Sequence, residues 1–433
     1  MADLAIIAAI IIVWSTISRP LDRRGITSAM VFTLAGLVVG VSVLGLLDVS
    51  LESSLAELIT EIALVLLLFS DASRLDLHTL RHELGWPSRL LLIGLPLTLL
   101  AGAGVGMLVF PGMALASVFL LSTMLASTDA ALGQKVVSDP SVPARVRQAL
   151  DVESGLNDGL AVPFFLVALD LANAELTTGI TSAVLTNAFQ QIGWGLTGGV
   201  VAGVLGGLLF GFADRRGWVG REWRQILPLA TALLAYAVAV ELGGSGFIAA
   251  FVGGMVFGRL SGEHGSAALF TEEAGGLLAA VTWIGFGAIA LGWAAPHVTW
   301  QVVLYAALSL TLVRMVPVAI ALARSGANRP TVAFIGWFGP RGLASIVFGL
   351  LALERGVPEG QTLLTTVVVT VALSVLLHGL SSVPFAAAYH RWYEGHVAVH
   401  PATPEATPAT VPRQKRQVSV ADLARLGRKD EPR

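Results

Sequence analysis

Two polar pairs, each with a four-residue spacing, stand in one strongly apolar part of the chain. Residues 151–170 read DVESGLNDGLAVPFFLVALD, and the second half of this stretch is apolar enough to lie in a lipid bilayer. Ser154 and Asp158 share one face of a helix, and Glu153 and Asn157 form a second pair turned by about 100° from the first. A hydroxyl and carboxylates at this spacing are ligand types for a proton or a hard cation.

Three further polar residues stand in the middle of other apolar stretches. Thr128 and Asp129 interrupt LLSTMLASTDAALGQ, and Arg341 lies in FIGWFGPRGLASIVFG. An ionisable group at the centre of a membrane helix costs at least about 2.5–3.5 kcal/mol and therefore needs a partner. We expect Arg341 to pair with Glu153, because an arginine can bind a carboxylate through two hydrogen bonds. Asp129 and Asp158 then need a cation or a proton, and competition between these two gives exchange when access alternates.

The composition requires that a membrane hold these residues in place. Of 433 residues, 55% are hydrophobic and 13% are charged, and the mean hydropathy is +0.76. A soluble domain carries about 25% charged residues, so we predict an all-α polytopic membrane protein. The absence of cysteine excludes disulfides and thiolate metal sites, and the net charge of −2 gives no sign of nucleic-acid binding. No basic residue precedes the first apolar stretch, which favours a retained helix over a signal peptide.

Thirteen apolar stretches have the length and composition of transmembrane helices. Short loops that contain Gly, Pro and charged residues separate them. The spans centre near residues 10, 35, 62, 99, 125, 160, 200, 234, 252, 284, 311, 342 and 373. We therefore predict a transmembrane exchanger domain over residues 1–392. Residues 393–433, which are rich in Pro, Ala, Thr and charge, are predicted to form a disordered cytoplasmic tail.

The basic residues give an orientation. All but three of the 27 Lys and Arg residues fall in the tail and in alternate loops on one side of the predicted spans. The exceptions are Arg314 and Arg341 within spans and Arg355 in an opposite loop. By the positive-inside rule, the C-terminus is cytoplasmic and the N-terminus is outside. We expect the bacterial inner membrane as the location.

The thirteen spans divide as six, one and six, which predicts an inverted repeat. Matching helices are seven spans apart and therefore run in opposite directions, as in many secondary transporters. The fifth and twelfth spans then correspond, and both are interrupted near their middle. Pro340 cannot donate a helical hydrogen bond, and the flanking Gly339 and Gly342 loosen the turn. Paired interrupted helices indicate a transport site.

Three motifs resemble those of the monovalent cation:proton antiporters, and the nearest branch is the electroneutral NhaP-type sodium/proton exchangers. The motifs are STD in the fifth span, ESGLND in the sixth and GWFGPRGLAS in the twelfth. The resemblance implies a homodimer in the lipid membrane, in which a core domain moves like an elevator. It implies Na⁺ or K⁺ and H⁺ as transported ions, and no cofactor.

The resemblance also implies a role for each motif residue. Asp158 would be the shared cation- and proton-binding acid, and Asn157 directly before it points to electroneutral exchange. The other implied roles are those of Asp129, Thr128 and Ser154 in completing the ion site, of Asn157 in bracing the interrupted fifth span, and of Glu153 in pairing with Arg341.

Two positions depart from the family pattern. Members commonly have proline directly after the aspartate of the fifth span, where this chain has Ala130. Many members also have a glutamate where this chain has Ser70 followed by Asp71. Asp71 is therefore a candidate for a cation access path, with helix-end capping and simple solvation as the competing interpretations. Both Na⁺ and K⁺ remain open as substrates.

Two other functions compete with exchange. A cation channel could also line its path with carboxylates, although it would not need paired half-helices around a closed midpoint. The sequence GGSG at residues 243–246 matches a pattern of intramembrane serine proteases. Such an enzyme needs a histidine within reach of Ser245, and His297 and His378 are the candidates.

Overall fold

Fifteen helices account for most of the part of the chain that the structure, a computed structural model, describes: residues 2–47, 54–75, 85–177, 182–261 and 268–407. They are α1 Ala2–Arg23, α2 Ser28–Val39, α3 Ser54–Arg74, α4 Gly85–Val109, α5 Leu115–Met124, α6 Ala130–Val137, α7 Ala144–Thr177, α8 Ser182–Arg215, α9 Arg221–Glu241, α10 Gly246–Ser261, α11 Leu269–His297, α12 Trp300–Ala321, α13 Arg329–Trp337, α14 Leu343–Glu354 and α15 Gly360–Val399.

The predicted all-α membrane fold is confirmed. Each of the thirteen predicted stretches falls on one helix, except that the fifth comprises α5 and α6 and the twelfth comprises α13 and α14. Among the described residues, 8 helices are long and apolar enough to cross a membrane unaided. The remaining passes are built from α3, from the shorter apolar helices α2 and α10, and from the half-helices of the two interrupted spans. Broken helices are tolerated at membrane depth only where they are buried in protein or line a cavity.

The helices pack as two bundles. One, which we call the scaffold bundle, contains α1–α3 and α8–α11; the other, the site bundle, contains α4–α7 and α12–α15. Helices α3, α7, α8 and α10 provide contacts between the two. Each six-span repeat therefore contributes its first three spans to the scaffold bundle and its last three to the site bundle. Both interrupted spans, and the polar ESGLND sequence of α7, lie in the site bundle.

A row of glycines lets α8 pack closely on α10. A Cβ atom added to Gly199 would stand 2.6 Å from the Ala249 carbonyl oxygen, and one on Gly203 would stand 2.7 Å from that of Gly253. Contacts this short exclude any side chain at these two positions. Small residues at four-residue spacing serve helix packing in membranes, so the stripe has a structural explanation and needs no chemical one.

The two interruptions leave extended backbone inside the site bundle. Residues 125–129 connect α5 to α6, and residues 338–342 connect α13 to α14. Both segments are almost entirely buried. Each break exposes the first N–H groups of one half-helix and the last carbonyls of the other, which must find partners elsewhere because no water replaces them.

The last helix continues beyond the predicted start of the tail. Helix α15 runs to Val399, and a short 3₁₀ turn, Pro404–Ala406, follows it. Glu405 in this turn is only 1% exposed. The predicted tail therefore begins with an ordered, packed stretch, because the buried Glu405 holds that stretch to the bundle. Residues 408–433, which make up the rest of the predicted tail, lie outside the described residues.

Candidate functional site

Asp129 joins the two broken helices where they cross. Its carboxylate caps α6 by accepting the Leu132 N–H (3.1 Å) and caps α14 by accepting the Leu343 N–H (3.0 Å). Its own N–H donates to the Pro340 carbonyl (2.8 Å). A negative charge is stabilised at a helix N-terminus, and here a single carboxylate serves two of them. Sequence reasoning assigned Asp129 to the ion site and did not foresee this capping.

The ESGLND sequence of α7 presents Asp158 and Ser154 to the interrupted fifth span. The Ser154 hydroxyl donates to the Thr128 carbonyl (2.7 Å), which fixes the extended backbone against α7. The Oδ1 atom of Asp158 is buried and has no hydrogen-bond partner among the described residues. Asp129, Asp71 and Glu153 are the acidic groups close enough to act on this carboxylate. A carboxylate oxygen in these surroundings needs a cation or a proton.

Asn157 and Arg341 both bind the interrupted segment of the fifth span. The Asn157 Nδ2 group donates to the Ala126 carbonyl (3.0 Å) and to the Thr128 hydroxyl (3.2 Å). The Arg341 Nη1 group donates to the carbonyls of Ala126 (2.9 Å) and Ser127 (3.1 Å). These carbonyls lie at the end of α5, where a positive side chain is favoured. The family resemblance implied a bracing role for Asn157 at this segment, and that role stays a prediction.

The expected ion pair between Glu153 and Arg341 is wrong. Both carboxylate oxygens of Glu153 accept from Arg314 of α12, in a two-point pair with N–O distances of 2.8 Å, and both side chains are buried. The physical reason is position: Arg314 reaches both carboxylate oxygens of Glu153, whereas Arg341 directs its Nη1 group at the carbonyls of the fifth span. Arg314 is the other arginine within a predicted span, and sequence analysis gave it no specific partner.

Asp71 lies on α3, across from the start of the polar sequence on α7. A Cβ atom added to Gly155 would stand 3.8 Å from the Asp71 Cβ, so these two helices touch at this level. The charged groups that act on Asp71 are Arg74, Asp151 and Asp129. Asp151 is exposed. Asp71 therefore lies near the exposed Asp151 and near Asp129, which joins the two broken helices. A role of Asp71 in cation access stays a prediction.

A cavity of about 880 Å³ lies near the C-terminal end of α7. Its polar lining includes Glu57, Glu61 and Glu354, and its apolar lining includes Phe165 and Phe247. Phe165 is seven residues from Asp158, or about 10 Å along the helix. It stacks on Phe348 with ring centroids 4.4 Å apart, and Phe247 contacts the same ring edge-on. Phe165 therefore lines the cavity about two helical turns after Asp158 on α7 and packs on Phe348.

The residues proposed for a serine protease do not come together. The Ser245 hydroxyl accepts the Ile248 N–H at 3.4 Å, as a helix-capping serine does. The ring nitrogens of His378 contact Ser374 and Trp337, and that of His297 contacts Trp293. Across the described ranges, no group of three or more His, Asp or Glu side chains is arranged to hold a metal ion.

Sequence reasoning missed several participants in this site. The backbone carbonyls of Ala126, Ser127 and Pro340 take part, and a role of a backbone carbonyl cannot be recognised from the type of its residue. Sequence analysis did not consider Ser374 and named His378 only as a candidate protease histidine, although their four-residue spacing on one span was a usable signal. Arg314 carried the clearest signal, since an arginine inside an apolar span needs a buried acid.

The amino-acid sequence is similar to those of several known proteins. The sequence model of the family described as "Sodium/hydrogen exchanger, transmembrane" matches residues 6–388. The chain is 27% identical over 394 residues to the K⁺/H⁺ antiporter NhaP2 of Shewanella sp. strain ANA-3, which covers 87% of this chain and 64% of that protein. It is 27% identical over 376 residues to the low-affinity Na⁺/H⁺ antiporter NhaS1 of Synechocystis sp., which covers 81% of this chain and 68% of that protein. The chain therefore spans about two thirds of the length of these relatives.

The fold is also found in a solved structure. The sodium proton antiporter MjNhaP1 of Methanocaldococcus jannaschii, solved at pH 8, superposes with a TM-score of 0.68 and 20% sequence identity. The alignment covers 87% of this chain and 98% of the archaeal one. At this identity the likeness establishes the shared helix arrangement.

Proposed function

Because this chain belongs to the sodium/hydrogen exchanger family, we propose that it exchanges a monovalent cation for a proton across the membrane at Asp158. The observation that carries this proposal is the buried Asp158 Oδ1 atom, which has no hydrogen-bond partner among the described residues. The acids Asp129, Asp71 and Glu153 act on this carboxylate, which receives a backbone hydrogen bond from Thr128. The two arginines of the site donate to Glu153 and to backbone carbonyls.

The residues around Asp158 could hold a cation through oxygen atoms alone. The Ser154 hydroxyl uses its hydrogen on the Thr128 carbonyl, so its lone pairs are free to face a cation. The carboxylate oxygens of Asp129 accept N–H groups of both half-helices and keep further lone pairs. Hard cations prefer oxygen ligands of this kind. Cation and proton then compete for Asp158, and the exchange follows when the two forms of the site face opposite sides in turn.

The first test replaces the carrier acid. Asp158→Asn should abolish cation-driven proton movement in proteoliposomes, because an amide neither takes up a proton in exchange nor neutralises a cation. The matched control is Asp151→Asn, which removes an exposed acid two turns earlier on α7. Exchange near the wild-type rate in a correctly folded Asp158→Asn protein would reject the assignment.

The transported ion is proposed to be Na⁺ or K⁺. The matched relatives are named for both ions, and the site shows no feature that selects one of them. Comparison of Na⁺, Li⁺ and K⁺ gradients in the same proteoliposomes identifies the substrate. Asp71→Asn in these assays should raise the apparent KM for the cation if Asp71 lies on its access path.

Exchange is further proposed to be electroneutral. Asn157 provides an amide where a second acid beside Asp158 would add charge, and Glu153 is neutralised by Arg314. One net charge on the site then alternates between a cation and a proton, and a cycle moves no charge. With Na⁺ as substrate and the potential set by valinomycin and K⁺, the rate should be independent of voltage, whereas a steep voltage response would exclude one-for-one exchange.

The same measurement distinguishes exchange from a cation channel. Both interrupted segments are almost entirely buried where they cross, which fits a carrier better than a continuous pore. A carrier of this kind is proposed to work as a homodimer in the bacterial inner membrane, with the N-terminus outside and the C-terminus cytoplasmic. Cation-selective current through the purified protein would favour the channel.

A further inference from the structure

Two side chains of α15 reach across the interruption between α13 and α14. The backbone N–H of Arg341, just after the break, donates to the Ser374 hydroxyl at 2.7 Å. The His378 Nε2 atom lies 2.9 Å from the carbonyl oxygen of Trp337, the last residue of α13. Ser374 and His378 are one helical turn apart and are 0% and 2% exposed. One face of α15 therefore contacts both ends of the interruption.

Both ring nitrogens of His378 contact backbone carbonyl oxygens. A carbonyl oxygen only accepts, so the contact to Trp337 needs a hydrogen on Nε2. Nδ1 lies 2.9 Å from the Ser374 carbonyl oxygen and 3.2 Å from the Ser374 hydroxyl. Polar contacts therefore run from the Arg341 N–H through Ser374 and His378 to the Trp337 carbonyl, as buried polar groups require.

We propose that Ser374 and His378 are positioning residues for the cation site, which act by clamping the two ends of the interruption between α13 and α14. This inference rests on the proposed function of Asp158. The clamp holds the two residues that the second repeat contributes to the site. The Pro340 carbonyl accepts the Asp129 N–H, and the Arg341 guanidinium donates to the carbonyls of Ala126 and Ser127.

The clamp acts on the ion ligands through two steps. It fixes the backbone at Arg341, and the guanidinium of Arg341 fixes the carbonyls that directly precede Thr128. Thr128 supplies the carbonyl to which Ser154 donates. Loosening the clamp should therefore shift oxygen ligands of the cation without removing any of them. A shift of this kind weakens cation binding more than it slows the turnover of bound cation.

Four variants separate positioning from simple stability. Ser374→Ala removes the acceptor of the Arg341 N–H, and His378→Phe keeps an aromatic ring but removes both nitrogens. His378→Gln keeps a donor and an acceptor and should restore function. The matched control is Ser382→Ala on the same helix, since the Ser382 hydroxyl is equally buried but donates to Gly379 of its own helix.

The first measurement needs no transport. Hydrogen exchange followed by mass spectrometry on a peptide containing Arg341 should show faster exchange in Ser374→Ala and His378→Phe by at least about fivefold, the effect of losing one hydrogen bond. His378→Gln and Ser382→Ala should stay within about twofold of the wild type, well under the loss of one hydrogen bond. Unchanged exchange in both clamp variants would overturn the proposal, whether or not the protein exchanges cations.

The second measurement is the apparent KM for the transported cation against the maximal rate in proteoliposomes. Ser374→Ala and His378→Phe should raise KM by at least about fivefold with the maximal rate within about twofold, because the ligands are displaced and retained. Equal losses in KM and rate that His378→Gln fails to rescue would show a merely structural role. A wild-type protein without any exchange would instead reject the function proposed for Asp158, and the hydrogen-exchange result would still decide the clamp.

Discussion

At the scale of single residues, the choice of charge partners decides the chemistry of the site. Glu153 lies within reach of two buried arginines, and its carboxylate binds Arg314 at both oxygens while Arg341 is used by backbone carbonyls. The sequence predicts that a buried acid and a buried arginine must be compensated, since the cost of isolation is large. It does not determine which pair forms, because that depends on differences of a few ångström between spans that are far apart in the sequence.

A double-mutant cycle tests the corrected pairing. Glu153→Ala and Arg314→Ala should each destabilise the protein by about 3–5 kcal/mol, because each leaves an uncompensated buried charge. The double variant should lose less than the sum of the two, with a coupling energy between about 0.5 and 3 kcal/mol. Thermal unfolding in detergent, compared with the wild type, measures the stability loss of the two single variants and the double variant.

The companion cycle with Arg341 provides the control. Glu153→Ala combined with Arg341→Ala should show a smaller coupling energy, because no direct hydrogen bond joins these side chains in the described structure. A larger coupling to Arg341 than to Arg314 would restore the pairing that sequence reasoning predicted.

At the scale of elements, the glycines of the twelfth span make room for charged side chains. A Cβ atom added to Gly339 would overlap the guanidinium of Arg314, and one added to Gly342 would overlap the carboxylate of Asp129. The sequence GPRG was recognised as a helix break from the properties of proline and glycine. Its second property, that each glycine admits a charge from another helix, depends on tertiary packing and could not be predicted from the sequence.

Replacement of one of these glycines should separate the two broken helices. Gly342→Ala should displace the Asp129 carboxylate from the α14 N-terminus and weaken the cap by about 0.5–2 kcal/mol, with lower exchange as the result. Gly133→Ala on α6 is the matched control, because an added methyl group there meets no atom within 4 Å. Proteoliposome exchange rates and unfolding temperatures measure both. Wild-type behaviour of Gly342→Ala would show that the crossing tolerates a shifted Asp129.

The number and order of the helices were predictable because each span is a long apolar run bounded by charge. The interruptions were predictable because Thr128 and Asp129, or Pro340 and its glycines, contradict an otherwise apolar helix. The partners of the freed backbone groups were not, since the Pro340 carbonyl and the Ser374 hydroxyl meet the break only in the folded bundle. Local sequence therefore indicates where a helix must break, and tertiary contacts determine how the break is held.

At the scale of the whole molecule, the end of the chain is fastened to the site bundle. Glu405 accepts hydrogen bonds from the Asn328 N–H (2.9 Å) and the Thr331 hydroxyl (2.7 Å) at the start of α13. Arg145 at the start of α7 donates to the Pro404 carbonyl (2.9 Å). Composition predicted a disordered tail from residue 393. The attachment could not be predicted, because a single buried glutamate among Pro, Ala and Thr leaves no periodic pattern in the sequence. The fastened stretch connects α7, which carries Asp158, with α13, which leads into the interruption that contains Arg341.

The final prediction concerns the pH dependence of this attachment. Burial alone would raise the pKa of Glu405, but hydrogen bonds from Thr403, Asn328 and Thr331 outweigh it and leave the pKa below its ordinary value of 4.5. A carboxyl group with a lowered pKa in the folded state contributes stability that is complete above its unfolded pKa. This contribution is lost as the pH falls through the lowered folded value.

Glu405→Gln should therefore lower the unfolding temperature at pH 7, since hydrogen bonds to a charged group contribute about 1.5–3 kcal/mol each. The difference from the wild type should shrink as the pH falls below 4.5, where the wild-type carboxyl group loses the same contribution. Glu394→Gln is the control at the same end of α15, because Glu394 is 67% exposed and pairs only with His390 of its own helix in the described structure. It should leave the unfolding temperature unchanged at every pH. A deficit in Glu405→Gln that stays constant from pH 7 to pH 4 would mean that shape, and not the ionised carboxylate, holds the end of the chain to α13.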